Sequence, residues 1–195
     1  MNHDMLRDLF ADWWSKLTDI KNDGKASLAA LRRLGAAEAV FPPEIDVVGA
    51  IAISAYRVLH RRVRSLPNLP NDWESQLVVT AVVLAHVRED DTKNKSVAAL
   101  LGASRIEGDD TTHLMAETRF RCLLRTTDPV ELCDQARRAV ALLGRKAPVG
   151  DLGESLFSWD TRTRRKWAIS YWKLDAGPGV AAAPASESPS ANGVL

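Results

Sequence analysis

The sequence predicts an all-α protein, a helical bundle of about eight or nine helices, and three observations support this class. Apolar residues recur at i, i+3, i+4 and i+7 in most segments between residues 4 and 174, which is the spacing of one helix face. Helix-start and helix-stop residues separate these segments, for example Asp128-Pro129 and Gly144. We find no second segment with which a strand could pair. With 195 residues, 46% of them hydrophobic, the chain can bury a substantial core.

Four helices are predicted in the N-terminal half, at about residues 4–22, 27–34, 44–65 and 72–88. The apolar face predicted for the third consists of Val48, Ile51, Ala52, Ala55 and Leu59. The fourth is rich in Val and could be a buried strand, but Asp72 suits an N-cap and the stretch is long for a strand. Because it is apolar nearly all round, we expect it to be a central, buried helix.

Five more helices are predicted in the C-terminal half. Their ranges are about 96–102, 112–125, 128–143 and 149–158, and the last begins at Asp160 or Thr161. Trp167, Tyr171 and Leu174 share one face of the last helix, so we expect aromatic bulk to be buried there. Its basic residues fall largely on the other side.

The predicted organisation is one helical domain, residues 1–175, followed by a tail. A proline-containing loop at 67–70 and a polar stretch at 89–111 could divide the domain into two packed helical lobes, 1–88 and 112–175. Residues 176–195 combine small residues and prolines without aromatics. Such a composition does not bury enough surface to offset the entropy of ordering, so we expect a disordered C-terminal tail.

Basic charge is concentrated in the last third of the chain. Residues 119–173 contain 12 Lys and Arg against six Asp and Glu, whereas residues 1–118 contain 14 against 17. If clusters on several helices converge, they would hold a phosphate backbone without reading its sequence. The clusters are Arg32/Arg33, Arg57/Arg61/Arg64, Arg119/Arg121/Arg125, Arg137/Arg138 and Arg162/Arg165/Lys166.

No residues with the spacing of a catalytic or metal site are found. The four histidines are isolated, and His-Glu-x-x-His, Cys-x-x-Cys and Gly-rich phosphate loops are absent from the sequence. We interpret His86 as a hydrogen-bonded core histidine, and Cys122 and Cys133 as buried thiols. We therefore predict no catalytic residue, no metal and no cofactor. Without an apolar run of ~20 residues or a signal-peptide pattern, a cytoplasmic protein with no membrane partner is expected.

An ordered set of motifs is more specific than these features. The set is Phe10-x-x-Trp13-Trp14, Ala30-Leu31-Arg32-Arg33, Glu117-x-Arg119-Phe120-Arg121-x-Leu123-Leu124, Arg137-Arg138 on a helix, Leu156-x-x-Trp159-Asp160 and Arg165-x-Trp167-Ala168-x-x-Tyr171-Trp172. Over about residues 6–174 this set resembles the CasB family. That family is the small subunit of Cascade, the type I-E CRISPR effector complex.

The resemblance implies a non-enzymatic, all-helical subunit of an RNA-guided antiviral surveillance complex. It implies as partners the other Cascade subunits, including the backbone protein that carries the CRISPR RNA, together with CRISPR RNA, target DNA and a second copy of the chain. Basic residues of the family act through phosphates. Position by position, this assigns phosphate contacts to Arg32, Arg33, Arg119, Arg121 and Arg165. Charge pattern alone adds Arg125, Arg137, Arg138, Arg162 and Lys166, and it leaves the role of Arg57, Arg61 and Arg64 open.

Two other functions remain open at this point. A helix-turn-helix regulator would need a short helix pair with a recognition helix, and we find no compelling pair. An enzyme acting on nucleic acid, such as a helical nuclease, would use an acidic pair such as Asp109 and Asp110. Neither alternative accounts for the ordered motifs.

Overall fold

The structure is a computed structural model, and it describes residues 3–19, 24–34, 45–93, 96–105 and 112–174. Ten helices lie in these ranges, which confirms the all-α class. They are α1 (His3–Thr18), α2 (Gly24–Leu34), α3 (Val47–Ala52), α4 (Ser54–Arg64), α5 (Trp73–Ala85), α6 (Val97–Leu101), α7 (Glu117–Arg125), α8 (Pro129–Leu142), α9 (Val149–Phe157) and α10 (Thr161–Tyr171). The predicted tail and residues 106–111, which include Asp109 and Asp110, lie outside the described residues.

Helix α5 lies at the centre of the bundle. Every residue from Gln76 to Ala85 is buried, so the helix has no solvent face beyond its first turn, as its apolar sequence predicts. Helices α2, α8 and α9 pack around it, and α1 packs along α9. The last contact is close, because a Cβ on Gly153 would lie 2.7 Å from the Cβ of Phe10. Asp72 occupies the predicted N-cap of α5, but its side chain accepts no cap hydrogen bond.

Three other predicted helix starts are confirmed by their capping hydrogen bonds. The side chain of Ser96 accepts from the backbone N–H of Ala99 at 3.3 Å. Asp128 and Asp160 accept in the same way three residues onward, at 2.9 Å and 2.7 Å. Each cap satisfies a backbone donor that the first helical turn leaves without a partner.

The single helix predicted at 44–65 is wrong, because the chain forms α3 and α4 with Ile53 between them. Ile53 is extended, with φ −86° and ψ 125°. The guanidinium of Arg57 donates to the carbonyl oxygens of Ile51 and Ala52 at 3.0 and 2.8 Å, which are acceptors that a helix end leaves open. The predicted apolar face is also wrong in part: Leu59 is fully buried, but Val48 is 81% exposed.

Two backbone pairings between separate segments occur where the sequence predicted a loop or a helix. Strands β1 (Glu89–Asp90) and β2 (Lys146–Ala147) pair in parallel, where a polar loop and no sheet were predicted. Helix α7 begins five residues later than predicted. The chain before it is held instead by a bridge between Ser104 and His113 and by a hydrogen bond from Met115 N–H to Leu101 O at 3.0 Å.

The aromatic face of α10 is buried as predicted, except at its end. Trp167 and Tyr171 are 2% and 0% exposed. The ring of Tyr171 stacks on Phe120 of α7 at 3.8 Å between centroids. Leu174 is 70% exposed, so its predicted place on this face is wrong. The stacking fixes α10 against α7, and two of the predicted basic clusters lie on these two helices.

Candidate nucleic-acid interface

A cavity of about 380 Å³ lies between the end of α5 and the second half of α8, and basic side chains line it. Arg137 and Arg138 come from α8, Arg145 from the turn after α8, and His86 from the residue that follows α5. We call these four residues and their cavity the basic pocket. One carboxylate, that of Asp134, also lines it; its Oδ1 lies 3.4 Å from Nη1 of Arg137.

Arg32 of α2 belongs to the same positive region. Its Nε donates to the carbonyl oxygen of Ala85, the last residue of α5, at 2.7 Å. Burial lowers the pKa of Arg32, and the neighbouring charges of Arg145 and Arg88 lower it further. The structure therefore brings Arg32, a predicted site residue, close to Arg145 and Arg88. The sequence prediction included neither of these two arginines.

The pKa of His86 is affected by the same group of positive charges. Burial lowers the pKa of His86 to about 4, and the charges of Arg137, Arg32 and Arg145 contribute to that shift. Its Nε2 is buried and has no hydrogen-bond partner in the described part of the chain. The prediction of a hydrogen-bonded core histidine is therefore wrong at this nitrogen. The imidazole is neutral at pH 7 because burial, and to a lesser degree the three guanidinium groups, oppose its protonation.

This depressed pKa predicts a pH dependence of stability. Because the unfolded chain binds a proton near the ordinary value of 6.5 and the folded chain only near 4, the stability associated with neutral His86 is present above about pH 6.5. It is lost as the pH falls toward 4. We expect the free energy of unfolding of wild type to fall by about 1 kcal/mol more than that of His86→Gln between pH 7 and pH 5. This figure allows for solvent screening of a half-buried group. Urea unfolding of both proteins at the two pH values measures this, and parallel losses would contradict it.

The backbone around Arg145 is held in an uncommon conformation. Gly144 and Arg145 both have positive φ, 65° and 64°, and this left-handed region is costly for a residue with a Cβ. The carbonyl of Arg145 accepts from the backbone N–H groups of Arg88 and Glu89, at 2.8 and 3.3 Å. Pairing of β1 with β2 thus fixes the turn that presents Arg145. The only sequence hint was a basic dipeptide immediately after the helix-ending Gly144.

The remaining predicted arginines do not converge on one cavity. Arg33, Arg119, Arg125 and Arg165 are exposed on α2, α7 and α10. Arg121 pairs with Glu117 at 2.6 Å on the surface of α7. Its guanidinium carbon also lies 6.0 Å from the centroid of a Trp172 ring. Exposed pairs of this kind contribute little free energy, so a phosphate could replace the carboxylate at small cost.

Lys166 has internal partners. Its Nζ lies 3.6 Å from Asp151 and 3.7 Å from Glu154, whose side chains are only 4% and 3% exposed. Arg7 of α1 contacts the same two carboxylates. Burial raises the pKa of Asp151, and the two cations offset part of that desolvation. The geometry gives Lys166 a role in joining α10 to α9, and Arg162 lies at a separate cleft.

No group of three or more His, Cys, Asp or Glu side chains in the described ranges could hold a metal ion. No helix there has the length and apolar character needed to cross a membrane. Cys133 is buried as predicted, whereas Cys122 is exposed, which corrects the prediction of two buried thiols.

The model of a protein family described as CRISPR-associated protein Cse2 matches residues 27–172, more than half of the chain. The chain belongs to the Cse2 family. This is the CasB family that the motifs resemble, so that resemblance is confirmed. Members of the Cse2 family are structural Cascade subunits in CRISPR defence. The matched range contains the whole basic pocket. Neither the curated proteins nor the solved structures gave a match.

Proposed function

We propose that this Cse2-family protein holds nucleic acid within Cascade through its phosphates, without catalysing a reaction, and that the basic pocket is its main contact. One observation supports this most strongly: Arg137 and Arg145, from separate segments, line one cavity together with His86. Arg32 of α2 bonds the backbone next to His86 and adds to the positive charge around it. Like charges held this close repel each other, so an anion in the cavity relieves the repulsion. A phosphate has the charge and the oxygen acceptors for this place.

Arginine suits such a contact better than lysine, because its planar guanidinium forms paired hydrogen bonds with phosphate oxygens. Sequence-independent contacts are also what the proposed role requires. In RNA-guided recognition, base pairing reads the sequence, and replacing a DNA duplex by an RNA–DNA duplex is nearly balanced in free energy. A few phosphate contacts of about 1 kcal/mol each would favour the open target. The exposed Arg33, Arg119, Arg125 and Arg165 would extend the contact along the CRISPR RNA, target DNA or displaced strand.

We further propose that two copies act per complex, in the cytoplasm, against the backbone subunit that carries the CRISPR RNA. Family membership supports this assignment. Two earlier expectations remain predictions. They are the division into lobes, residues 1–88 and 112–175, and the disordered tail, residues 176–195.

Co-purification tests the proposed function. The tagged chain is expressed with the other effector subunits and a CRISPR RNA of its host, and we expect it to co-elute at two copies per complex. Removing charge from the basic pocket, in Arg137→Gln/Arg145→Asn, should leave assembly intact and reduce retention of open target DNA. Failure to join a complex that otherwise forms would overturn the assignment. A preference of the free protein for one duplex by orders of magnitude would support the regulator alternative instead.

A further inference from the structure

A second cleft, of about 280 Å³, lies between the start of α5 and the junction of α9 with α10. We call it the α5–α10 cleft. Gln76 lines it from α5, Phe157 and Trp159 line it from the junction, and Arg162 lines it from the first turn of α10. The proposed function uses none of these residues, although the sequence prediction included Arg162.

Gln76 is the most unusual of them. It is 8% exposed, and its Oε1 is buried without a hydrogen-bond partner among the described residues. The hydroxyl of Ser158, at the same cleft, is also buried without a partner there. Buried polar atoms are nearly always satisfied, so two orphans at one cleft point to a ligand that supplies hydrogen bonds. A Gln amide presents acceptor and donor in one plane, which matches the edge of a nucleobase.

The charges in the cleft argue against a phosphate as its occupant. The carboxylates of Asp72 and Asp160 line it together with the guanidinium of Arg162 and the imidazole of His3, whose Nδ1 is paired with Glu154. A neutral, flat group with N–H donors fits this balance, since carboxylate and Gln oxygens are acceptors. The buried rings of Phe157 and Trp159 provide an apolar wall, as in most small-ligand pockets. Arg162 is then placed for the phosphate of the same nucleotide.

We propose that the α5–α10 cleft holds one unpaired base of a single strand, with preference over thymine for a base that carries an exocyclic amino group. Gln76 accepts the exocyclic amino group of that base, and Arg162 contacts its phosphate. This inference rests on the proposed function, because it requires nucleic acid to reach this surface. A cationic side chain of a protein partner would also suit the carboxylates, but Arg162 opposes a second cation there.

The test compares binding of the full-length protein to oligo-dA, oligo-dC and oligo-dT of equal length at one salt concentration. Wild type should bind dA or dC at least about fivefold more tightly than dT, the lower end of what one good base contact provides. Gln76→Met, which is similar in size and apolar, should abolish this preference and leave dT binding unchanged. Arg162→Gln should weaken binding of all three strands alike. Because Oε1 of Gln76 has no partner, the methionine variant should melt no lower than wild type.

The outcomes separate this inference from the proposed function. If all strands bind with equal affinity, or if Gln76→Met keeps the preference, the base cleft is overturned and phosphate binding by the basic pocket stands. If no strand and no duplex binds, the proposed function fails, and the inference fails with it. If Gln76→Met instead releases the protein from co-expressed effector subunits with its strand preference unchanged, the cleft belongs to a protein partner and the inference is overturned.

Discussion

Replacing Trp167 with alanine is expected to lower the free energy of unfolding by about 3–5 kcal/mol, a large share of the stability of a domain. The Trp167 side chain is 2% exposed and meets Trp159 edge-on, with 5.0 Å between ring centroids. Its Nε1 donates to the hydroxyl of the fully buried Ser155 at 2.9 Å. The substitution therefore leaves a cavity and also removes the hydrogen-bond donor to a buried oxygen.

A matched substitution, Trp167→Phe, keeps an aromatic ring and loses the indole N–H. We expect it to cost much less than Trp167→Ala, because most of the cavity remains filled. Urea unfolding followed by circular dichroism gives both free energies from the transition midpoints, provided that the slopes are unchanged. Equal midpoints for wild type and Trp167→Ala would show that α10 is not held by this contact, and the account of its aromatic face would be wrong.

Local sequence patterns were sufficient for most of the helices. Helix α5 is predicted by its length and its uniformly apolar residues, both of which are properties of one continuous segment. The caps at Ser96, Asp128 and Asp160 are equally local, because each side chain bonds a backbone N–H three residues away. Where the decisive interaction lies within about four residues, the pattern and the structure agree.

Interactions between distant segments explain the errors. No Gly or Pro marks the break at Ile53, and the late start of α7 depends on pairing with residues near Ser104. The partner of the chain before α7 is one that a periodicity rule does not contain. The candidate site shows the same limit. Arg137 was found as part of a cluster, but its nearness to Arg145 and His86 depends on the pairing of β1 with β2. Lys166 was grouped by charge, whereas its partners lie on α9.

Removing two charges from the basic pocket is expected to weaken nucleic-acid binding about tenfold or more at low salt, to the same extent for all sequences. The variant is Arg137→Gln/Arg145→Asn, chosen because Gln preserves the helix and Asn tolerates the left-handed backbone at position 145. Each lost phosphate contact should lower the slope of log K against log salt by about 0.7–0.9. We therefore expect the slope to fall by roughly 1.5, measured by fluorescence anisotropy across a salt series.

The control removes the same number of charges elsewhere. Arg61 and Arg64 are exposed on α4, so Arg61→Gln/Arg64→Gln lowers net charge equally without touching the pocket. If binding depended only on overall charge, the slope of log K against log salt would fall equally in both double variants.

The pocket variant also has a second readout, because Arg137 and Arg145 both depress the pKa of His86. Their removal should raise that pKa from about 4 toward the ordinary value, and NMR titration of the imidazole follows it. A raised histidine pKa with an unchanged salt slope would show that the arginines converge as described and still do not bind phosphate.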